Sequence, residues 1–350
     1  MALENQPVEV GEVKVYKLPS PAVQYIQDVS NKAAIFHGDC LKLLKALPSN
    51  SIDLVVTSPP YCIGKEYEKG MDIESFKRLH SLVLPEVARV LKDGGSMCWE
   101  VGYHVNAATI LPLDFVVHDL VSKIPVMQLR NRIIWAYGHG LHTETRFSGR
   151  HETILWYTKG NQYKFDLDPV RVPQKYPGKT HYKGPKKGEP SGNPLGKNPS
   201  DVWDDIPNVK ANHVEKTAHP CQFPVALAER LILSLAPEGG VVLDPFSGVS
   251  STGVASIRCG CRYIGAELSA SYVKIAEERL KAALEGSERV RELNKPIFTP
   301  EPGSKVATAP SHFVGAQSTL LATDHFCGAK AAEPLDRVPA SELPGFPPHA

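Results

Sequence analysis

The stretch Asp53-Leu54-Val55-Val56-Thr57-Ser58-Pro59-Pro60-Tyr61 decides how this 350-residue chain folds. Its apolar, β-branched first half reads as a strand buried in a parallel sheet. The run then stops at a polar residue, two prolines and a tyrosine. In an open α/β sheet, ligands bind outside the carboxyl ends of the strands. Two successive prolines lack N–H groups and have fixed φ, so the turn they form is rigid and extended. That turn presents the Ser58 hydroxyl, the backbone carbonyls and the Tyr61 ring as one array. Acceptors for N–H groups beside a π face suit a flat aromatic amine. Taken alone, the same residues also fit an ordinary strand-to-loop exit.

The flanking sequence alternates strand and helix patterns. Upstream, residues 33–39 predict a short strand ending in Gly38-Asp39, and residues 40–47 a helix with leucines at helical spacing, closed by Pro48. Downstream, residues 76–91 are amphipathic and end at Lys92-Asp93-Gly94-Gly95, read as a helix stop and tight turn. Residues 96–101, 130–137 and 153–159 predict strands, and 110–124 a helix. Past residue 218 the pattern resumes. Residues 223–235, 250–257 and 271–284 predict helices, and 240–243 and 263–266 strands. This alternation belongs to the α/β class: a mostly parallel sheet with helices on both faces.

Composition narrows the function classes. The chain is 42% hydrophobic, enough for a sizeable core, and its formal net charge is +1, so any basic surface is local. No apolar run has transmembrane length, and the polar, acidic start does not resemble a signal peptide, which argues against a membrane role. Seven scattered cysteines fit reduced thiols and a cytoplasmic location. Cys259-Gly260-Cys261 is the only close pair and has no second pair, so it reads as core packing, with no metal site expected. The basic charge gathers between residues 159 and 197, where nine Lys/Arg face three Asp/Glu, interleaved with Tyr163, Phe165, Tyr176 and Tyr182. A long Pro-, Gly- and Lys-rich stretch inside an α/β pattern fits either a solvated linker or a surface that meets nucleic acid.

A second motif lies far downstream. Val241-Val242-Leu243-Asp244-Pro245-Phe246-Ser247-Gly248-Val249-Ser250-Ser251-Thr252-Gly253 reads as strand, small-residue loop and helix start, and Glu267 ends the next strand. Small residues let a ligand approach the backbone, helix N-terminal N–H groups face its polar end, and a strand-end carboxylate takes ribose hydroxyls. A pyrophosphate-binding loop needs Gly-x-Gly-x-x-Gly. Here an Asp precedes the loop, which repels a diphosphate but suits a ligand carrying an ammonium group. S-adenosyl-L-methionine combines an amino-acid end, a ribose and an adenine. Asp244 is expected to face the first, directly or through water, Glu267 the second and Asp39 the third.

With both motifs in hand, the chain resembles the beta group of amino-methylating (N4-cytosine or N6-adenine) site-specific DNA methyltransferases. Thr57 to Tyr61 looks like their catalytic motif. Asp244-Pro-Phe-Ser-Gly248 looks like their methyl-donor motif, usually closer to Asp-Pro-Phe-x-Gly-Ser-Gly; Val249 and Ser250 replace the last two residues. His219-Pro220-Cys221-Gln222-Phe223-Pro224 resembles the element that cradles the donor's methionine end, and residues 146–157 the segment flanking the flipped base. The resemblance covers about residues 33–285. It implies a Rossmann-like methyltransferase fold in circularly permuted motif order, with an irregular target-recognition region inserted.

The organisation it suggests is a lead-in over 1–30, a catalytic half over 31–159, target recognition over 160–218, a donor-binding half over 219–292 and a disordered tail over 293–350. The implied catalytic residues are Ser58, Pro59, Pro60 and Tyr61. Asp39, Asp244, Phe246, Gly248, Glu267, His219 and Phe223 are the implied donor contacts. Arg146, Arg150, Lys175, Lys179, Lys183, Lys186 and Lys187 are the implied DNA contacts. The partner is double-stranded DNA; a cognate restriction endonuclease and a homodimer are open.

The reaction the resemblance implies is direct methyl transfer to the exocyclic amine of a flipped-out base. Ser-Pro-Pro-Tyr usually accompanies cytosine N4 and Asp-Pro-Pro-Tyr adenine N6, so cytosine is favoured and adenine stays open. Tyr61→Ala is expected to damage catalysis more than donor binding, and Asp244→Ala the reverse. Pro220-Cys221-Gln222-Phe223 also looks like the nucleophile motif of cytosine carbon-5 methyltransferases. There, however, the donor motif comes first, and this chain has no Glu-Asn-Val, so Cys221 reads as structural. An RNA or protein N-methyltransferase, typically Asn-Pro-Pro-Tyr after the donor motif, and a non-catalytic DNA-binding relative are the other readings.

Overall fold

The computed structural model describes residues 13–17, 30–61, 72–106, 109–138, 140, 142–304 and 308. The chain divides into two units, 1–297 and 298–350. The described residues of the second unit form no helix or strand, and the tail expected after residue 293 falls largely outside the described residues.

In the first unit, one nine-stranded sheet carries β1 (Val13–Lys17), β2 (Ala33–His37), β3 (Ile52–Thr57), β4 (Leu91–Val101), β7 (Met127–Ala136), β8 (His151–Lys159), β9 (Val202–Trp203), β10 (Val241–Asp244) and β11 (Arg262–Glu267). A separate hairpin pairs β5 (Tyr103–Asn106) with β6 (Thr109–Pro112). The order across the sheet is β1-β2-β11-β10-β3-β4-β8-β7-β9. Every neighbouring pair is parallel except those of β8, which runs antiparallel to β4 and β7. β10 and β11, the last two strands among the described residues, thus slot between β2 and β3.

Helices α1 (Cys40–Ala46), α2 (Ile73–Val90) and α3 (Leu113–Val121) cover one face, and α4 (Val225–Leu235), α5 (Ser251–Arg258) and α6 (Ala270–Leu284) the other. Alternation along the strands feeds both cores. Phe36, Val55, Leu243 and Ile264 enter the first, and Ile35, Leu54, Val56, Val242 and Tyr263 the second. This two-sided burial is why these strands are apolar throughout rather than alternating.

Three features differ from the sequence-based expectation. Residues 13–17, expected in a loose lead-in, form β1 and pair in register with β2. Residues 92–95, expected as a turn, lie within β4. Gly94 takes φ +80°, and a side chain there would collide with the Gln162 carbonyl, so a close backbone crossing needed that glycine rather than a helix stop. The helix expected over 110–124 begins only at Leu113, because Pro112 is its N-cap and ends β6 instead. A proline disfavours helical geometry in the residue before it. Residues 160–218, expected to be irregular, carry local order: Val172 and Lys197 exchange backbone hydrogen bonds of 3.0 and 2.9 Å, and Trp203 packs under Arg230 of α4.

Candidate active site

The sheet order brings both motifs to one edge. Glu267 pairs with His37, Asp244 with Gly265, and Leu243 with Val55, so the carboxyl ends of β2, β11, β10 and β3 stand side by side. They open onto a cavity of about 610 Å³. Ser58, Pro59, Pro60, Tyr61, Asp39, Phe246, Gly248, Glu267, His219 and Phe223 all line it. Its size is that of an ordinary small-molecule site.

Asp244 does not line the cavity. Its carboxylate is completely buried. Oδ1 accepts from Thr57 Oγ1 at 2.6 Å and from the Phe246 N–H at 3.0 Å, and Oδ2 accepts from Thr252 Oγ1 at 2.8 Å. Burial pushes its pKa up to about 6 against those three donors. The expectation that Asp244 faces a ligand's amino group is therefore corrected. The residue ties the end of β3, 187 residues away, to the loop after β10.

Glu267 fastens the same loop from the other side. Oε2 accepts from the Gly248 N–H at 2.9 Å and Oε1 from the Ser269 N–H at 2.7 Å, and burial raises its pKa. Gly248 has φ +52°, and a Cβ there would sit 3.3 Å from His219 Nε2. Ser250, where the resembled motif has glycine, itself adopts φ +59° and exchanges a 2.7 Å hydrogen bond with Ser247 Oγ. Asp39 caps α1, accepting from Leu41 N at 2.7 Å. His219 is held neutral by burial, with its pKa near 4; its Nδ1 accepts from the Cys221 N–H, which assigns the ring proton to Nε2. Cys221 is exposed on the cavity wall, not packed in a core, whereas Cys261 is buried as expected.

Beside Ser58 and Tyr61 the wall carries two buried carboxyls, of which only Glu152 lies in a segment, residues 146–157, that the sequence marked. Ser58 Oγ and Tyr61 Oη lie 2.9 Å apart, and the Tyr61 ring rests over Gly102. Next to them, Glu100 at the end of β4 hydrogen-bonds Glu152 at the start of β8, and Tyr137 reaches Glu152 at 3.5 Å. Glu100 is only 4% exposed, and its Oε1 has no donor among the described residues. Burial first, and then the neighbouring carboxylate, raise the Glu100 pKa far above the usual range; burial also raises that of Glu152. Two carboxyls this close favour sharing a proton. The same burial keeps Tyr61 and Tyr137 protonated. Sequence reasoning missed this pair because its members meet only through the antiparallel β4–β8 pairing, where Glu100 faces Ile154.

The basic residues fall into two groups. Arg146 and Arg150 are half-buried in the loop between β7 and β8. Lys175, Lys179, Lys183, Lys186 and Lys187 are exposed. Among the described residues, no cluster of His, Cys, Asp or Glu could hold a metal ion, and no helix is long and apolar enough to cross a membrane.

Residues 52–278 match the DNA methylase family. The type II methyltransferase M.BglII of Bacillus subtilis is 46% identical over 250 residues, covering 70% of this chain and 68% of its own. The DNA adenine methyltransferase YhdJ of Escherichia coli strain K12 is 34% identical over 257 residues, covering 71% of this chain and 83% of its own. Among solved structures, TTHA0409 of Thermus thermophilus complexed with S-adenosyl-L-methionine aligns with a TM-score of 0.51 at 30% identity, covering 72% of this chain and 94% of that one.

Proposed function

The chain belongs to the DNA methylase family, and from that premise we propose that it methylates the exocyclic N4 amine of cytosine in double-stranded DNA. The observation that carries this reading is the shared cavity: the Ser58–Tyr61 turn and the Gly248–Glu267 rim line the same 610 Å³. The residues present fit S-adenosyl-L-methionine as donor. Glu267 and Asp39 offer carboxylates to ribose and adenine, Phe246 and Phe223 supply apolar wall, and the His219 Nε2 proton faces the bare Gly248 backbone.

Bound there, the donor supplies a sulfonium methyl, which the amine lone pair takes while the carbon–sulfur pair stays on sulfur. The protein's task is alignment and charge placement. A base inside a duplex is out of reach, so the target is flipped into the cavity. Ser58 Oγ and the Pro59 carbonyl accept hydrogen bonds from the amine and stabilise the positive charge that develops on nitrogen. Tyr61 stacks on the base. The proton released from nitrogen passes to the carboxylate of the Glu100–Glu152 pair. Asp244 serves this arrangement from below, by holding Thr57 and hence Ser58.

Residues 160–218 carry target recognition, with the exposed lysines on DNA phosphates, between a catalytic half over 31–159 and a donor half over 219–292. A type II relative supports a cognate restriction endonuclease as partner. A second reading, adenine N6, is favoured by the similarity to YhdJ, whose name specifies adenine. Nucleoside mass analysis of DNA incubated with the protein and S-adenosyl-L-methionine separates the two. N4-methylcytosine is the expected product. N6-methyladenine overturns the base assignment, and no methylated nucleoside on varied DNAs overturns the substrate.

A further inference from the structure

Phe147 is 100% exposed; among the described residues the next large apolar side chain is Tyr182, at 90%. The turn that carries it is built rather than slack. The Thr143 N–H donates to Ser148 Oγ at 3.3 Å, and Thr143 Oγ1 donates to the Arg146 carbonyl. The foot of the turn is locked as well. A Cβ on Gly149 would collide with the Tyr103 hydroxyl, so that hydroxyl fills the space a side chain would take. Gly140 packs in the same way against Arg150 Nη1 and the Gly149 carbonyl. The Tyr137 N–H donates to the Arg150 carbonyl at 2.8 Å, closing the loop on the β7–β8 pairing.

Both feet stand on the cavity, since Tyr137 and Glu152 line it. Phe147 is five residues from Glu152, and so within about 17 Å of the cavity wall. A pre-formed turn thus holds a bare phenyl ring near the site, between two arginines. Among the described residues the ring is left fully exposed.

A nucleotide swung out of a duplex leaves an apolar gap in the base stack, and apolar side chains fill and hold such gaps. We propose that Phe147 is the wedge that enters the duplex at the target and occupies the space of the extruded base, with Arg146 and Arg150 on the flanking phosphates. This rests on the duplex-DNA reading above. Tyr182 lacks the geometry, since its segment does not begin and end on the cavity.

The test uses the full chain and one target strand, taken from the methylated site once mapped. The strand is offered fully paired, and opposite an abasic site that removes the partner base and lowers the cost of extrusion. Phe147→Ala is expected to lower kcat/KM at least about tenfold on the paired duplex and to recover most of it opposite the abasic site. Phe147→Trp is expected to keep activity on both. Tyr182→Ala, as a control for general DNA contact, is expected to lose equally on both. A fully exposed side chain leaves the fold intact in each variant, which circular dichroism checks. Equal losses on the two substrates, or no loss at all, for Phe147→Ala overturn the wedge. If no methylated site can be mapped on varied duplex DNAs, the DNA reading falls, and the wedge with it.

Discussion

At the residue scale, Asp244 has the most to say. A carboxyl with a folded pKa near 6, above its ordinary value of 3.8, binds more protons folded than unfolded in between. Its contribution is therefore fully present below about pH 4 and is lost as pH rises through about 6, on the order of 2–3 kcal/mol. Asp244→Asn keeps the acceptor for Thr57 and the Phe246 N–H without the buried charge. Chemical unfolding between pH 4 and 8 is expected to show that loss in the wild type and not in the variant. Asp244→Ala instead leaves three donors unmet. It is expected to impair both donor binding and turnover, not donor binding alone. The Glu100–Glu152 pair makes a different prediction. Glu152→Gln removes the member of the pair that carries the charge, so kcat is expected to fall about 10²-fold and the acid limb of its pH profile to flatten. The donor's Kd, read by calorimetry, should stay put; a matching loss in Kd would make the pair structural.

At the element scale, the loop after β10 carries the donor's fit. Gly248 combines a left-handed φ with the approach of His219 Nε2. A side chain in that conformation costs about 1–2 kcal/mol. Gly248→Ala is expected to weaken S-adenosyl-L-methionine binding at least tenfold by calorimetry, with a modest fall in Tm. Much of this element was legible from its residues: a strand, small residues and a helix start. That Ser250 stands at the motif's glycine position was legible too; that the serine itself takes φ +59°, with its hydroxyl on Ser247 Oγ, only the folded loop shows. The same limit explains β5 and β6. Apolar spacing over 110–124 fits a helix, and only Pro112 and the hairpin pairing with Tyr103 and His104 divide it.

At the scale of the whole molecule, charge is distributed unevenly. A net charge of +1 conceals the run between residues 159 and 197. Exchanging Lys179, Lys183, Lys186 and Lys187 for Gln is expected to reduce the slope of log affinity against log salt by about 0.9 for each phosphate no longer neutralised. Donor affinity and Tm should hardly move, since all four side chains are exposed. A slope unchanged from wild type would remove this stretch from the DNA surface.

What could be read from one dimension was what is encoded locally. The apolar runs marked the strands of the sheet core, the prolines and glycines marked their ends, and the two motifs named the chemistry each end could do. Period and turn chemistry act over a few residues, so the linear order preserves them. Neighbours across the sheet are not local. Placing β10 and β11 between β2 and β3 is a matter of long-range pairing, and that placement alone turned Asp244 from a ligand contact into a buried tie to Thr57. It was the pairing of β4 with β8, too, that set Glu100 against Glu152. A carboxyl's role depends on what shares its low-dielectric surroundings, and only the folded chain decides that company.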